Sequence, residues 1–375
     1  MPLLFLASEF PPGYGDMRGY NYRLAGALNK KTEIKVLTPK SAGWKAFDGL
    51  SGLTIVRSGD ESRKLTSVLS LNKNAAKLAS TGKYSYILAS GWETAGAAAM
   101  NISNRLNASF SLIIAESQIK KYASKPALVR KAEAVVSKAG TIFCLSGRTA
   151  DLLKVFGVHR VKTVVLEAGG DPPERAEITN DDIRRFRGTL SMDSRDKLII
   201  SAGKLEKKNA FDILIWSVYL LRQKRKNFKL LIIGGGPEEK RLKQIIADLH
   251  LEDCTAIAPM PQKLDAYLKA CDLYVQLGRA EKEPVSAEPG LALLEAGYYG
   301  KPVVASKSCE LSGVISENTG IVVPPLLPVE TSAAIGRILL DDTLSRDMGK
   351  AFSKKIHEHY RWDIVADKVI RALNL

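Results

Sequence analysis

The sequence predicts a two-domain α/β protein in which each domain is built on a doubly wound parallel sheet. Its 375 residues exceed the usual size of one compact domain, and 45% of them are hydrophobic, enough for two cores. Short runs of Val, Ile and Leu alternate with helical patterns along the chain, which is typical of strand–helix–strand units. A polar, turn-rich segment over 167–174 interrupts this alternation and divides the chain.

The individual elements follow from the periodicity of apolar residues. In the first half, predicted strands lie at 3–7, 34–38, 86–89, 111–115, 141–145 and 163–166. A helix over 18–28 places Tyr20, Leu24 and Leu28 near a period of 3.6. The second half gives predicted strands at 197–202 and 229–233, and predicted helices at 210–221, 238–249 and 356–375.

These elements define the predicted domains: 1–170, 171–355, and a terminal helix 356–375 that returns to the first domain. Ligands of doubly wound sheets bind outside the carboxyl ends of the strands. With two such sheets joined by a hinge, we expect the domains to face each other across a cleft that holds the ligand.

Positive charge is concentrated in the first half of the chain. The net charge is +15, and residues 1–172 hold 24 basic and 12 acidic side chains, or +12, whereas the remainder holds 31 and 28, or +3. A one-sided positive field favours an anionic partner such as nucleic acid, an acidic lipid surface or a phosphorylated substrate. Simple solubility is the alternative.

Several classes of protein are excluded. No apolar run approaches the ~20 residues of a membrane-spanning helix, and the first residues lack the basic start of a signal peptide. We therefore expect a cytoplasmic protein. The cysteines are far apart in sequence, without the paired spacing of zinc or redox sites, and we interpret them as small buried apolar residues: Cys144, Cys254, Cys271 and Cys309.

Three glycine-bearing loops follow predicted strands, where a helix amino terminus can bind phosphate. The first, 9–19, contains Gly15, and the third, 234–238, contains Gly235. Glycine lets the backbone approach a ligand, although a plain turn explains either loop equally well. In the first loop, the spacing of Gly15 and Gly19 is not that of the dinucleotide-binding fingerprint.

The second glycine-bearing loop is the most basic. Gly203 is followed by Lys204, Lys207 and Lys208, just before a predicted helix. Cations at a helix amino terminus are disfavoured by roughly 0.3–1 kcal/mol each, and a bound anion would remove that conflict. The alternative is a solvated loop with incidental lysines.

An acidic segment over 281–305 leads into another predicted helix, which Gly290 opens. Leu291 and its apolar neighbours can face the core, which leaves Glu295 within the first turns. A buried glutamate is rare without a partner. Together with Glu288, it could bind sugar hydroxyls through charge-assisted hydrogen bonds.

At this segment the sequence resembles the retaining glycosyltransferases of the GT-B fold, in particular glycosyltransferase family 4. Residues 288–297 and 300–305 are similar to that family's paired-glutamate donor motif and the strand after it. The likeness continues along almost the whole chain, at 10–15, 146–158, 203–205, 233–237 and 320–324. It implies two Rossmann-like domains facing each other across a cleft.

The resemblance also implies an activity: transfer of a sugar from a nucleotide-diphosphate donor to a glycan or lipid-linked acceptor, with retention at the anomeric carbon. Glu295 would hold the ribose, and Lys204 with Lys207 or Lys208 would neutralise the diphosphate. The nucleotide sugar would be a substrate, with neither cofactor nor metal required. The implied donor-site residues are Gly15, Gly203, Lys204, Lys207, Lys208, Gly235, Met260, Pro289, Gly290, Leu291 and Glu295; those near the reaction are Glu116, Lys204 and Glu288.

The sequence departs from the family pattern at four points. Glu288 stands six intervening residues before Glu295 instead of seven, Lys204 replaces an arginine, and Asn209 occupies the usual second lysine position. Where the family has a histidine–glycine pair, this sequence reads Ala115-Glu116-Ser117-Gln118. Glu116 then either substitutes for the histidine on the acceptor side, marks altered chemistry, or marks a degenerate enzyme.

Alternatives to transfer remain at this point: a sugar-nucleotide epimerase of the same fold, or an inactive binding protein. Nucleic acid is disfavoured as a partner because no recognition module is present.

An anionic membrane surface, at the inner face of the cell membrane, is favoured by a basic amphipathic helix that we predict around 120–138. An ordinary surface helix is the alternative. The basic residues of this segment are Lys120, Lys121, Lys125, Arg130, Lys131 and Lys138.

Overall fold

A computed structural model shows two compact units. Unit 1 comprises Met1–Gly169 and Trp362–Leu375, and unit 2 comprises Gly170–Arg361. The residues that the structure describes are 2–13, 15–60, 64–81, 84–123, 126–155, 158, 161–171, 178–193, 195–261, 264–279, 290–307 and 314–375.

Unit 1 alternates strands and helices along the chain. Its strands are β1 (Leu3–Ala7), β2 (Ile34–Lys40), β3 (Ile55–Asp60), β4 (Tyr86–Ser90), β5 (Ser109–Ile114), β6 (Thr141–Cys144) and β7 (Lys162–Val165). Its helices are α1 (Asp16–Asn29), α2 (Trp44–Leu50), α3 (Lys64–Thr81), α4 (Ala97–Leu106), α5 (Glu116–Ala123), α6 (Pro126–Val136), α7 (Gly147–Val155) and the last helix of the chain, α15 (Trp362–Leu373).

The strands of unit 1 form one parallel sheet with the order β3-β2-β1-β4-β5-β6-β7. Every residue of β1 is buried, because helices cover both faces of such a sheet, which is also why its strands read as continuous apolar runs. The strand order reverses between β1 and β4. The loops after these two strands therefore diverge and leave room for a ligand at the edge of the sheet.

Helix α15 belongs to unit 1 although it lies at the other end of the chain. The Trp362 ring packs edge-on against the buried Tyr20 ring, with 5.3 Å between ring centroids. Tyr20 in turn donates a hydrogen bond to the Leu166 carbonyl at 3.1 Å. Burial raises the pKa of the Tyr20 hydroxyl, so it stays protonated and keeps donating.

Unit 2 repeats the alternation. Its strands are β8 (Lys197–Ala202), β9 (Phe228–Ile233), β10 (Thr255–Ala258), β11 (Leu273–Gln276), β12 (Val303–Ser306) and β13 (Gly320–Val323). Its helices are α8 (Asn180–Thr189), α9 (Phe211–Arg222), α10 (Glu239–Asp248), α11 (Asp265–Ala270), α12 (Leu291–Tyr298), α13 (Pro328–Leu340) and α14 (Asp342–His359).

The sheet of unit 2 is also parallel, with the order β10-β9-β8-β11-β12-β13. Here the strand order reverses between β8 and β11, so the loops after β8 and β11 diverge. The predicted fold class, two doubly wound α/β domains, is confirmed.

Two details differ from the prediction. The edge strand β3 was not predicted, because Arg57, Ser58 and Asp60 interrupt its apolar pattern. The helix predicted over 356–375 is two helices, since α14 ends at His359 and α15 begins at Trp362. Between them, the Tyr360 carbonyl accepts a hydrogen bond from the Gly170 N–H at 2.7 Å, where the chain leaves unit 2.

Candidate functional site

The basic loop lies at the reversal point of the unit 2 sheet, between β8 and β11. We call residues 203–209 the lysine loop. The Gly203 N–H donates to the Ile233 carbonyl at 2.9 Å, and the Leu205 N–H donates to the Gly235 carbonyl at 3.0 Å. These bonds hold the main chain of the loop against the segment that follows β9.

The lysine loop is also braced internally. The Asn209 side-chain amide donates to the Lys204 carbonyl at 2.7 Å, and Lys207–Asn209 form a short 3₁₀ turn before α9. The Lys204 side chain is half-buried, Lys207 is exposed, and Lys208 forms an ion pair with Glu206 at 3.2 Å. Three cationic side chains thus project from a fixed backbone at the carboxyl edge of the sheet.

The glycines after β9 serve close packing. A Cβ at Gly234 would lie 1.9 Å from the Gly203 carbonyl oxygen, and one at Gly236 would lie 2.6 Å from the Leu205 oxygen. Gly235 itself is exposed, and a Cβ there would meet nothing within 4 Å. Two of the three glycines are therefore needed for the contact with the lysine loop.

We expect Gly234→Ala to lower the free energy of unfolding by about 1–3 kcal/mol, because overpacking forces backbone shifts of this cost. The same shift displaces the lysine loop, so nucleotide affinity should fall with it. Gly235→Ala is the matched control and should leave the unfolding midpoint in urea unchanged. Equal midpoints for the two variants would contradict this packing.

Helix α12 carries Glu295. Gly290 precedes the helix with a left-handed backbone (φ 49°, ψ 39°), which glycine adopts without strain. Leu291 and Glu295 are both buried, and Glu295 is 3% exposed. The structure therefore places a carboxylate inside the first turns of this helix, as predicted. Glu288 and Pro289 lie outside the described residues.

Met260 lies apart from the lysine loop along the sheet. It follows β10, the edge strand two positions from β8, and is half-buried. The structure thus places the lysine loop, with Gly203, Lys204, Lys207 and Lys208, against Gly235 through the Leu205 hydrogen bond. Gly290, Leu291 and Glu295 lie on the helix after β11 or directly before it.

Unit 1 places Gly15 at the reversal point of its own sheet. The residue lies in the loop after β1 and directly precedes α1, with φ 152°. Main-chain carbonyls of this loop accept hydrogen bonds from side chains, including Asn21 to Glu9 at 2.8 Å and Arg18 to Phe10 at 2.9 Å. Side chains of helix α1 therefore hold the main chain of this loop in place.

Glu116 begins α5, at the carboxyl end of β5. Its carboxylate is fully buried, and Oε1 accepts a hydrogen bond from Arg148 Nε at 3.3 Å. The Arg148 side chain is 41% exposed. The carboxylate thus contacts a guanidinium, and it is Arg148 that extends towards solvent.

The segment predicted as one basic amphipathic helix contains two helices, α5 and α6, with 124–125 outside the described residues. In α6 the apolar residues Ala132, Val135 and Val136 are buried in the core of unit 1. Arg130, Lys131 and Lys138 are exposed. The apolar side of α6 therefore packs into the core of unit 1, which favours the alternative, an ordinary surface helix.

Two arginines that the sequence analysis did not single out contact the candidate residues. Arg148 pairs with Glu116, and the Arg279 Nε donates to the Lys207 carbonyl at 3.0 Å. Each follows the carboxyl end of an apolar strand by a few residues, a position where a charged side chain was a usable signal.

None of the helices in the described part of the chain is long and apolar enough to cross a membrane. The three cysteines in that part, Cys144, Cys254 and Cys271, are buried thiols, as expected. Burial raises the pKa of Cys271 to about 12, so this thiol is not a nucleophile at neutral pH.

Comparison with known proteins identifies the fold. HepE from Anabaena, solved in complex with UDP and glucose, superimposes with a TM-score of 0.79 at 16% identity, covering 100% of this chain and 99% of that one. Sucrose-phosphate synthase from Thermosynechococcus elongatus gives a TM-score of 0.76 at 16% identity, covering 100% and 98%. The chain has the GT-B fold of glycosyltransferases.

Sequence comparison relates the second half of the chain to one family. Residues 182–355 match the model of the family described as "Glycosyl transferases group 1". Alpha-monoglucosyldiacylglycerol synthase of Streptococcus pneumoniae is 24% identical over 60% of this chain and 53% of its own length. The amylovoran biosynthesis glycosyltransferase AmsK of Erwinia amylovora is 30% identical over 45% and 43%. The chain spans about half the length of the curated relatives it matches.

Proposed function

We propose that this protein transfers a sugar from a nucleoside-diphosphate donor to a glycan or lipid-linked acceptor. The observation that carries the proposal is the lysine loop, a braced cationic loop at the reversal point of the unit 2 sheet. Ligands of doubly wound sheets bind at this position. The family matched by residues 182–355 supports the same activity.

Different residues bind different parts of the donor. Lys204, with Lys207 or Lys208, neutralises the diphosphate, and Glu295 accepts hydrogen bonds from the ribose hydroxyls. Breaking the glycosidic bond leaves positive charge on the sugar and negative charge on the departing diphosphate. Fixed cations lower the energy of that separation, because a preorganised site needs no rearrangement as charge develops.

Retention and metal independence belong to the proposal. A GDP-mannose-dependent α-(1-6)-phosphatidylinositol monomannoside mannosyltransferase of Mycobacterium tuberculosis is 25% identical over 53% of this chain and 50% of its own length. An α product from an α-linked nucleotide sugar means retention. The lysine loop supplies cationic charge where a metal ion would otherwise serve, so we propose that neither a metal nor a cofactor is required.

The acceptor side is proposed to lie on unit 1. Glu116 takes part through Arg148, since the Glu116 side chain is buried and the Arg148 side chain is 41% exposed. Relatives named for diacylglycerol and amylovoran products support lipid-linked or polysaccharide acceptors and a role in cell-surface synthesis.

The positive charge of unit 1 supports contact with an anionic membrane surface at the inner face of the cell membrane. The contact would be electrostatic, through Arg130, Lys131 and Lys138, because the apolar face of α6 is occupied. Flotation with phosphatidylglycerol and with phosphatidylcholine vesicles tests this. Equal binding to both lipids would contradict it.

The activity is tested by incubating the protein with UDP-glucose or GDP-mannose and a diacylglycerol or oligosaccharide acceptor, with and without EDTA. We expect an α-linked product, identified by the one-bond coupling constant between C1 and H1 of the transferred sugar in the NMR spectrum. It should form at the same rate with and without EDTA. A β-linked product contradicts retention, and loss of activity in EDTA contradicts metal independence. An epimerised nucleotide sugar contradicts transfer.

A further inference from the structure

Arg279 connects the two loops at the reversal point of the unit 2 sheet. It follows β11, yet its main-chain N–H donates to the Lys208 carbonyl at 2.8 Å. Its side-chain Nε donates to the Lys207 carbonyl at 3.0 Å. One residue after β11 therefore holds two consecutive peptide groups of the lysine loop after β8.

The guanidinium of Arg279 is itself held by a buried carboxylate. Asp212, in the first turn of α9, accepts hydrogen bonds from Arg279 Nη2 and, at 3.0 Å, from Arg241 Nη2. Its side chain is only 9% exposed, and its other oxygen accepts the Ile213 N–H at 3.0 Å. Asp212 thus holds the Arg279 guanidinium in the position where its Nε bonds the lysine loop.

The network continues into α10 and returns to the lysine loop. Arg241 also pairs with Glu238 at 2.8 Å. The main-chain N–H of Glu238 donates to the Leu205 carbonyl at 3.0 Å. The hydrogen bond from Arg241 to Asp212 raises the pKa of Arg241, so this guanidinium stays charged beside the carboxylate. Contacts from α9, α10 and the segment after β11 therefore converge on one loop.

This loop needs external support. Its lysines repel one another, and cations are disfavoured near the amino terminus of α9. Ala210, which joins the loop to α9, has a left-handed backbone (φ 49°, ψ 33°), a conformation that costs an alanine roughly 1–2 kcal/mol. Such strain persists only where the surroundings determine the conformation.

We propose that Arg279 is a positioning residue for donor binding. It holds the Lys207 and Lys208 backbone, with Asp212 and Arg241 behind it, so that the lysine side chains meet the diphosphate without rearrangement. The Arg279 guanidinium contacts the loop and Asp212 and is not assigned to the ligand. This inference rests on the proposed function, since it assumes that the lysine loop binds a nucleoside diphosphate.

The test compares Arg279→Ala and Arg279→Lys with Arg222→Ala by calorimetric titration with UDP and GDP. Arg222 also pairs with an aspartate, Asp253, on the same unit, but away from the loop. We expect Arg279→Ala to raise the Kd about 10- to 100-fold, the scale of effect of an ångström-sized misplacement. Arg279→Lys keeps a positive charge beside Asp212 but loses the several N–H donors of the guanidinium. Its unfolding midpoint should therefore be that of the wild type, whereas its nucleotide affinity should stay as low as that of Arg279→Ala.

A double-mutant cycle separates positioning from general destabilisation. In a Lys207→Ala/Lys208→Ala background, Arg279→Ala should raise the Kd no further, because the side chains it positions are gone. Additive effects, or a normal Kd in both Arg279 variants, would overturn the inference. If Lys204→Ala leaves the Kd unchanged, the proposed donor site itself fails, whatever the Arg279 variants show.

Discussion

Lys204→Ala should lower kcat/KM for the nucleotide sugar by about 10²- to 10³-fold, the loss that follows removal of one group stabilising developing charge in a preorganised site. The loop should survive the substitution, since Asn209 and the Glu206 N–H bond the main-chain carbonyl of Lys204. The measurement is the steady-state release of nucleoside diphosphate.

Two variants bracket the Lys204 result. Lys204→Arg keeps the positive charge, so we expect it to retain activity within about tenfold of the wild type, although the geometry of the cation differs. Lys224→Ala removes an exposed lysine elsewhere on unit 2 and should have no effect. A Lys204→Ala enzyme as active as Lys224→Ala would contradict the role of the loop.

The second large effect is expected at Glu295. Glu295→Gln should weaken nucleoside-diphosphate binding by about 10- to 100-fold, because hydrogen bonds to a charged acceptor contribute roughly 1.5–3 kcal/mol. The amide has the same shape but only one acceptor oxygen for the two ribose hydroxyls. Calorimetric titration with UDP or GDP measures the change.

The ribose assignment has its own control in the ligand. A 2′-deoxynucleoside diphosphate lacks one of the hydroxyls, so its affinity should depend less on Glu295 than that of the ribonucleotide. Glu252→Gln, at an exposed position on the same unit, should leave both affinities unchanged. If Glu295→Gln lowered the affinity for the deoxyribonucleotide and the ribonucleotide equally, the assignment of Glu295 to the ribose would be contradicted.

The sequence predicted the sheets well because their strands are buried on both faces and need continuous apolar runs. It missed β3, where Arg57 bonds Asp48 and main-chain carbonyls instead of packing as an apolar residue. The break between α14 and α15 was also missed. The apolar period runs through it, although the chain passes there from unit 2 to unit 1.

The part of the candidate site that is formed by residues close together in the sequence was predictable. The strand, glycine, lysine and helix order around Lys204 predicts a phosphate loop, and Glu295 stands out as an acidic residue on an apolar helix. The supports were not predictable, since Arg279 and Asp212 are 67 residues apart and meet only in the folded unit. Likewise, the pairing of Glu116 with Arg148 spans 32 residues.

Direct titration of the protein with UDP, GDP and their sugars tests the central claim, that unit 2 binds a nucleoside-diphosphate sugar through the lysine loop and Glu295. We expect saturable one-to-one binding of at least one of these nucleotides. That binding should be weakened by about tenfold or more in Lys204→Ala and Glu295→Gln and unchanged in Lys224→Ala. No saturable binding of any of them, or one affinity shared by all four proteins, would contradict it.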